Sequence, residues 1–401
     1  FKQKTAYEIR LSLVGSEMCI RDRYCADLEE KRSLAKCYET TEQALIFMNE
    51  EGTKKRIPIS VLTGFLGSGK TTVLRHFARS GSLSRTLVLV NEFGEVGLDH
   101  HLLTPIDDDT LVALDSGCIC CTIRADLSKT LSEAPWRYSR DGIRWFDQVI
   151  IETTGVADPA PVLQTILGDP KVVDSYILSS VLTAVDAVNG ISTLKEHAEA
   201  VKQVAVADRV ILTKMDLLQD DQDKLNELQE VLKELAPSAR ISKVVDGQAE
   251  MDWFFGEGPY SIGGKNGDVR SWLNAELKQH EKERHHDHPL DVSRHGSIVA
   301  SHLTFSEPVD AALFESCLQM LMNFRGPDLL RVKGIINVAG MDLPMVIHGV
   351  QHVFHPPEIL DEWPDEDRAT RVVIIARDFD QEQIAACFNG FGLPVDKVVK
   401  A

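Results

Sequence analysis

The sequence has no apolar run near the roughly 18–20 residues that span a membrane as a helix. It has no cationic surplus either: 61 acidic against 43 basic side chains leave a formal charge of −18. Such a chain repels nucleic acid as a whole and suits cations or a basic protein partner. Regular cysteine spacing is missing as well. Five of the eight cysteines (Cys19, Cys25, Cys37, Cys317 and Cys387) are scattered, which argues against a disulfide framework. With no secretory signal pattern, a reducing, cytoplasmic setting is the expectation. No internal repeat is visible. What is there, 43 % apolar and 26 % charged residues over 401 positions, suits a globular protein of two or three domains.

Residues 1–23, FKQKTAYEIRLSLVGSEMCIRDR, resemble a translated sequencing adapter, and Met48 is the expected native start. Residues 1–47 are therefore read as a non-native, disordered extension. From Ile57 short apolar runs alternate with polar helical stretches: IPISVLTGF (57–65), TLVLVNEF (86–93), DQVIIETTG (147–155), SSVLTAVDA (179–187) and DRVILTKMD (208–216). Near-continuous Val, Ile and Leu mark strands covered on both faces. Helices are expected between them, as at Thr71–Ser80 and Asp221–Leu235, giving a βαβ pattern. The predicted fold is α/β: a P-loop NTPase domain with a mostly parallel sheet over 57–260, then a His-containing linker over 261–295. A small α/β or α+β domain over 296–401 follows, with a helix from Val309 to Asn323.

Gly64-Phe65-Leu66-Gly67-Ser68-Gly69-Lys70-Thr71 fits G-x-x-x-x-G-K-[ST] between a buried strand and a helix. Gly64, Gly67, Ser68 and Gly69 let backbone N–H groups curl around phosphate oxygens at a helix N-terminus. Lys70 can reach the β- and γ-phosphates, Thr71 can ligate Mg²⁺, and Thr72 continues the phosphate-facing turn. Ile151-Glu152-Thr153-Thr154-Gly155 ends another strand, where Glu152 can hold Mg²⁺ through water and the Gly155 N–H can meet a γ-phosphate. Thr213-Lys214-Met215-Asp216 resembles a guanine-recognition loop. There the Asp216 carboxylate accepts from the purine N1–H and N2–H while the Lys214 stem packs on the ring. A strand end carrying Lys and Asp for solubility is the plainer alternative.

Ser116-Gly117-Cys118-Ile119-Cys120-Cys121-Thr122 concentrates the other three cysteines. Thiolates bind borderline and soft ions such as Zn²⁺, Cu(I) or Co²⁺. A structural zinc site is normally closed by four protein ligands, whereas three local ones leave a position open, as a metal to be handed on requires. A buried cysteine-rich turn and a redox pair are the alternatives; the spacing is not C-x-x-C. In NEFGEVGLDHH (91–101), Glu92, Glu95, Asp99, His100 and His101 offer hard or borderline ligands, with Glu95 and Asp99 as candidates on a switch-like loop. His285, His286 and His288 lie in a charged segment and could collect Zn²⁺ or simply be solvated.

GFLGSGKTT, NEFGEVGLD, GCICC, ETTG and TKMD, in this order, resemble the CobW-type GTPases, metallochaperones related to the maturation GTPases of hydrogenase and urease. The likeness runs from Ile57 to the C-terminus, where LLRVKGIINV, HGVQHVF and EWPDEDR are similar to the family's second domain. It implies GTP hydrolysis with Mg²⁺, with Lys70, Glu152 and Gly155 as the catalytic groups. It also implies metal binding at Cys118, Cys120 and Cys121, and delivery to a client metalloprotein. Zinc is the leading cargo and Co²⁺, linked to cobalamin synthesis, the alternative. A second copy of the chain is carried as a further partner; nucleic acid and membranes are not. Two positions depart from the family pattern: Thr213 opens the base loop in place of Asn, and Val90 precedes NEF where some members carry Glu. A P-loop kinase for a small molecule and a nucleotide-regulated metal buffer are the rival readings.

Overall fold

The computed structural model describes residues 56–79, 83–90, 111–113, 121–140, 143–218, 221–244, 252–255, 298–354 and 357–400. The first sheet is built from β1 (Ile57–Thr63), β2 (Thr86–Val90), β3 (Leu111–Ala113), β4 (Gln148–Glu152), β5 (Tyr176–Asp186), β6 (Arg209–Thr213) and β7 (Arg240–Lys243). Its spatial order is β3-β2-β4-β1-β5-β6-β7, and every pairing is parallel. The connections run through α1 (Lys70–Arg79), α2 (Cys121–Arg137), α3 (Ala160–Gly168), α4 (Gly190–Glu196), α5 (Ala198–Ala205) and α6 (Gln222–Leu235); α7 (Asp252–Phe255) follows the last strand.

Alternation along each strand divides the apolar side chains between two layers. Ile59, Val61, Val149 and Ile151 pack with Leu127, Leu131, Leu163 and Ile166 of α2 and α3. Leu62, Ile150, Leu182 and Ile211 pack on the other face with Val73, Leu74 and Phe77 of α1. Both faces are therefore dry, which is why the runs read as continuous hydrophobics. β5 begins at Tyr176, three residues before the SSVLTAVDA run, and all eleven of its residues are buried. Ser179 and Ser180 hide this start in the sequence; the Ser179 hydroxyl is satisfied by the Phe254 carbonyl at 3.2 Å. β7 is a half-exposed edge strand, RISK, whose polar residues give no apolar signal.

The second sheet is antiparallel: β8 (Ile298–Phe305), β9 (Leu329–Ile336), β10 (Met345–Val350), β11 (Val353–Phe354), β12 (Thr370–Arg377) and β13 (Lys397–Lys400). The order is β11-β10-β9-β12-β8-β13, and Glu358–Ile359 also pairs with β10. Two helices, α8 (Ala311–Arg325) and α9 (Gln381–Gly390), cover one face through Phe314, Leu318, Ile384 and Phe388. α8 starts two residues later than the expected helix because the Asp310 side chain caps it, accepting from the N–H groups of Ala312 and Leu313. The opposite face, with Ala300, Leu330, Ile335, Val346 and Val373, packs against Ala205 at the end of α5.

At that junction lies a buried ion cluster. The Arg331 guanidinium and the Lys333 ammonium, both on β9, converge on the Asp208 carboxylate just before β6, the lysine at 2.8 Å. Arg331 also donates to the Val206 carbonyl, and the second Asp208 oxygen accepts the Val181 N–H at 2.9 Å. Cys317 and Cys387 are free thiols. Among the described residues no helix is long and apolar enough to cross a membrane.

Candidate functional site

Four candidate segments leave the first sheet at one edge. The phosphate loop follows β1, ETTG ends β4, TKMD follows β6, and the chain that leads to the cysteines leaves β3, which runs parallel beside β2. Ligand sites of open parallel sheets form outside the carboxyl ends of the strands, because loops there share a rigid base.

The loop itself requires glycine. Gly64, Gly67 and Gly69 have φ of +140°, +73° and +89°. A methyl at Gly64 would also lie 2.3 Å from the Ala184 carbonyl oxygen. Lys70, the first residue of α1, turns its ammonium back onto the carbonyls of Gly64 and Phe65 at 2.8 and 3.3 Å. The Ser68 hydroxyl is buried without a partner. A loop whose lysine bonds its own backbone and whose buried hydroxyl is unpaired has the donors a phosphate chain needs. Thr72 is exposed on α1.

The Thr71 hydroxyl donates to Glu152 at 3.2 Å, so the two groups expected to share Mg²⁺ do meet. A hydroxyl and a carboxylate are hard oxygen donors, the set Mg²⁺ prefers. Gly155 abuts the phosphate loop: a methyl there would lie 2.6 Å from the Leu66 Cα. In the base loop, the Thr213 hydroxyl donates to Ser68 O at 2.7 Å and Val185 O at 3.2 Å. It ties this loop to the phosphate loop and is buried. Asp216 is exposed, as a group that must meet a ligand should be.

Three further residues were not found from sequence. Asp186, at the end of β5, accepts from the Lys214 ammonium at 2.8 Å and from Asn189 Nδ2 at 3.0 Å. Burial pushes its proton affinity up, but Lys214, Asn189 and the Val188 and Asn189 N–H groups outweigh that and hold the carboxyl below its ordinary range. Lys214 has φ +57°, so the pair fixes a left-handed turn as well as a charge. The only hint was a carboxylate at a strand end. His197, stacked on Phe65 at 4.3 Å between α4 and α5, and Gln203, fully buried on α5, carry no such hint because neither belongs to a recognisable motif. A cavity of about 210 Å³ opens beside the loop, lined among others by Leu66, Ser68, Asp186, Gln203 and Lys214.

Cys121 is the first residue of α2. Cys118, Cys120, Glu95, Asp99, His285, His286 and His288 lie outside the described residues. Among the described residues no group of three or more His, Cys, Asp or Glu could hold a metal ion.

A parallel sheet with a glycine-dependent turn, an inward lysine and a hydroxyl–carboxylate pair at its edge defines a P-loop nucleotide-binding protein. The CobW/HypB/UreG nucleotide-binding domain matches residues 58–243, and the cobalamin synthesis protein CobW C-terminal domain matches residues 298–391. The zinc chaperone YjiA of Escherichia coli is 30% identical over 338 residues, 83% of this chain and 98% of that protein. The zinc chaperone CobW of Pseudomonas aeruginosa is 29% identical over 367 residues, 83% of this chain and 91% of that one. A crystal structure of a Zn(II)-bound triple mutant of the YjiA GTPase superposes with a TM-score of 0.61 at 27% identity, covering 85% of this chain and 99% of that one. The chain belongs to the CobW/HypB/UreG family.

Proposed function

We propose that this protein is a GTP-hydrolysing metallochaperone that carries zinc on Cys118, Cys120 and Cys121 to a client metalloprotein in the cytoplasm. The observation that carries the reading is the common edge. β3, whose chain continues to the cysteines, lies beside β2 and ends level with Glu152 and the phosphate loop. The end of β3 at Ala113 is five residues before Cys118. Cys121 is the first residue of α2. The names of the relatives agree with a zinc cargo.

In this reading the Lys70 ammonium exchanges the Gly64 and Phe65 carbonyls for phosphate oxygens. Thr71 and Glu152 hold Mg²⁺, which when bound neutralises charge on the phosphates. The Gly155 N–H meets the γ-phosphate, and hydrolysis removes that contact. Asp216 accepts from the guanine N1–H and N2–H. Glu95 and Asp99 precede the cysteines, and His285, His286 and His288 offer a weaker collecting site between the two sheets' sequences. The Thr213 tether and the Asp186–Lys214 pair fix the base loop against the phosphate loop, which favours one nucleotide over a general phosphoryl-transfer cleft.

Asp216→Asn tests the nucleotide assignment. It replaces an acceptor by a donor on one side, so kcat/KM for GTP should fall about a hundredfold. Xanthosine triphosphate, which presents an acceptor oxygen where guanine presents N2–H, should be used better than GTP by this variant. Unchanged GTP turnover would refute guanine recognition at Asp216.

A further inference from the structure

α5 belongs to no nucleotide-binding motif, yet two adjacent side chains on it grip the segment after ETTG. The Gln203 Nε2 donates to the carbonyls of Gly155 and Ala157 at 3.2 and 3.1 Å. Two carbonyl acceptors fix the amide orientation, because only the NH₂ end can donate. The Gln203 backbone carbonyl accepts the Thr183 hydroxyl at 2.6 Å, which anchors the helix to β5. Next to it, Lys202 pairs with Asp158 at 2.9 Å. The other Asp158 oxygen accepts the Ala160 N–H at 2.9 Å, at the start of α3. Gly155, Ala157 and Asp158 are thus held from α5, while Gly155 abuts Leu66 of the phosphate loop.

We propose that Gln203 is a positioning residue for GTP hydrolysis: by pinning the Gly155 and Ala157 carbonyls it presets the Gly155 N–H for the γ-phosphate. This rests on the reading that Gly155 contacts that phosphate. Preorganised donors stabilise developing charge without reorganising during reaction, so a held loop is worth more than a loose one. Gln203 Oε1 is buried and has no partner, so the present arrangement leaves an acceptor unsatisfied.

Gln203→Met in the full chain keeps the length and burial of the side chain and removes both donors. The kcat for GTP and the affinity for a non-hydrolysable GTP analogue should each fall about tenfold, while GDP affinity stays within about twofold. Equal losses for the analogue and GDP, or no loss for either, would overturn the role. If this variant does not fold, Lys202→Met, which releases Asp158 from the same clamp, takes its place. Its expected loss is about threefold in kcat with GDP affinity unchanged, and no loss there overturns the role too. Gly155→Ala is assayed alongside. If it leaves the preference for GTP over GDP intact, the γ-phosphate reading itself fails. If it abolishes that preference while Gln203→Met does not, only the positioning role fails.

Discussion

Gly64 combines two demands that no other residue meets: φ of +140° and a Cα that leaves no room beside the Ala184 carbonyl. Gly64→Ala should therefore lower stability by about 2–4 kcal/mol in urea unfolding and abolish nucleotide binding; a loss below about 1 kcal/mol would show that the turn relaxes. Such residues are legible because glycine is the signature of the constraint itself. Lys70, Thr71 and Glu152 stand out in the sequence for a similar reason, since the phosphate and Mg²⁺ chemistry proposed for them admits few side chains in few positions. Asp186, Gln203 and His197 were not. Each contacts another protein group, and partners like Lys214, the Gly155 carbonyl and Phe65 are set by the fold, not by local spacing.

Elements were legible where two-sided burial came with apolar side chains and hidden where polar residues stood in the strand. β1, β4 and β6 read directly as apolar runs, whereas the start of β5 is masked by paired serines and β7 by its exposed, charged edge. The link between α5, β6 and β9 had no sequence signal, because Asp208 is more than a hundred positions from Arg331. Burial raises the Asp208 carboxyl's proton affinity, but the Arg331 and Lys333 charges and the bonds from Lys333 and the Val181 N–H overcome it and hold the carboxyl below its ordinary value of 3.8. The folded chain therefore binds this proton more weakly than the unfolded one. The stabilisation is fully present above about pH 4 and is lost as pH falls from there through the lower folded value. Asp208→Asn removes the carboxylate on which two buried cations converge and should cost about 3–5 kcal/mol at neutral pH, with a smaller acid-side slope in the pH dependence of stability. Equal stability of the two proteins at pH 7 would show that the cluster contributes nothing there.

At the scale of the molecule, one short helix touches three working parts. Its start adjoins His197, stacked on Phe65 of the phosphate loop; its middle grips Gly155 and Ala157; its end leads to Val206 and Asp208, held by the second sheet. α3 adds a second contact, with the Gln164 amide donating to Gln351 at 2.8 Å. The α5 and α3 contacts both involve elements that flank the segment after ETTG. That arrangement suits a protein whose nucleotide state must be felt beyond the nucleotide site, and carrying zinc on condition of GTP is such a task. Zinc affinity, measured by competition with a chromophoric chelator on the full chain, should be at least about tenfold tighter with a non-hydrolysable GTP analogue and Mg²⁺ than with GDP and Mg²⁺. Equal affinities in the two states would contradict nucleotide-gated carriage of the metal.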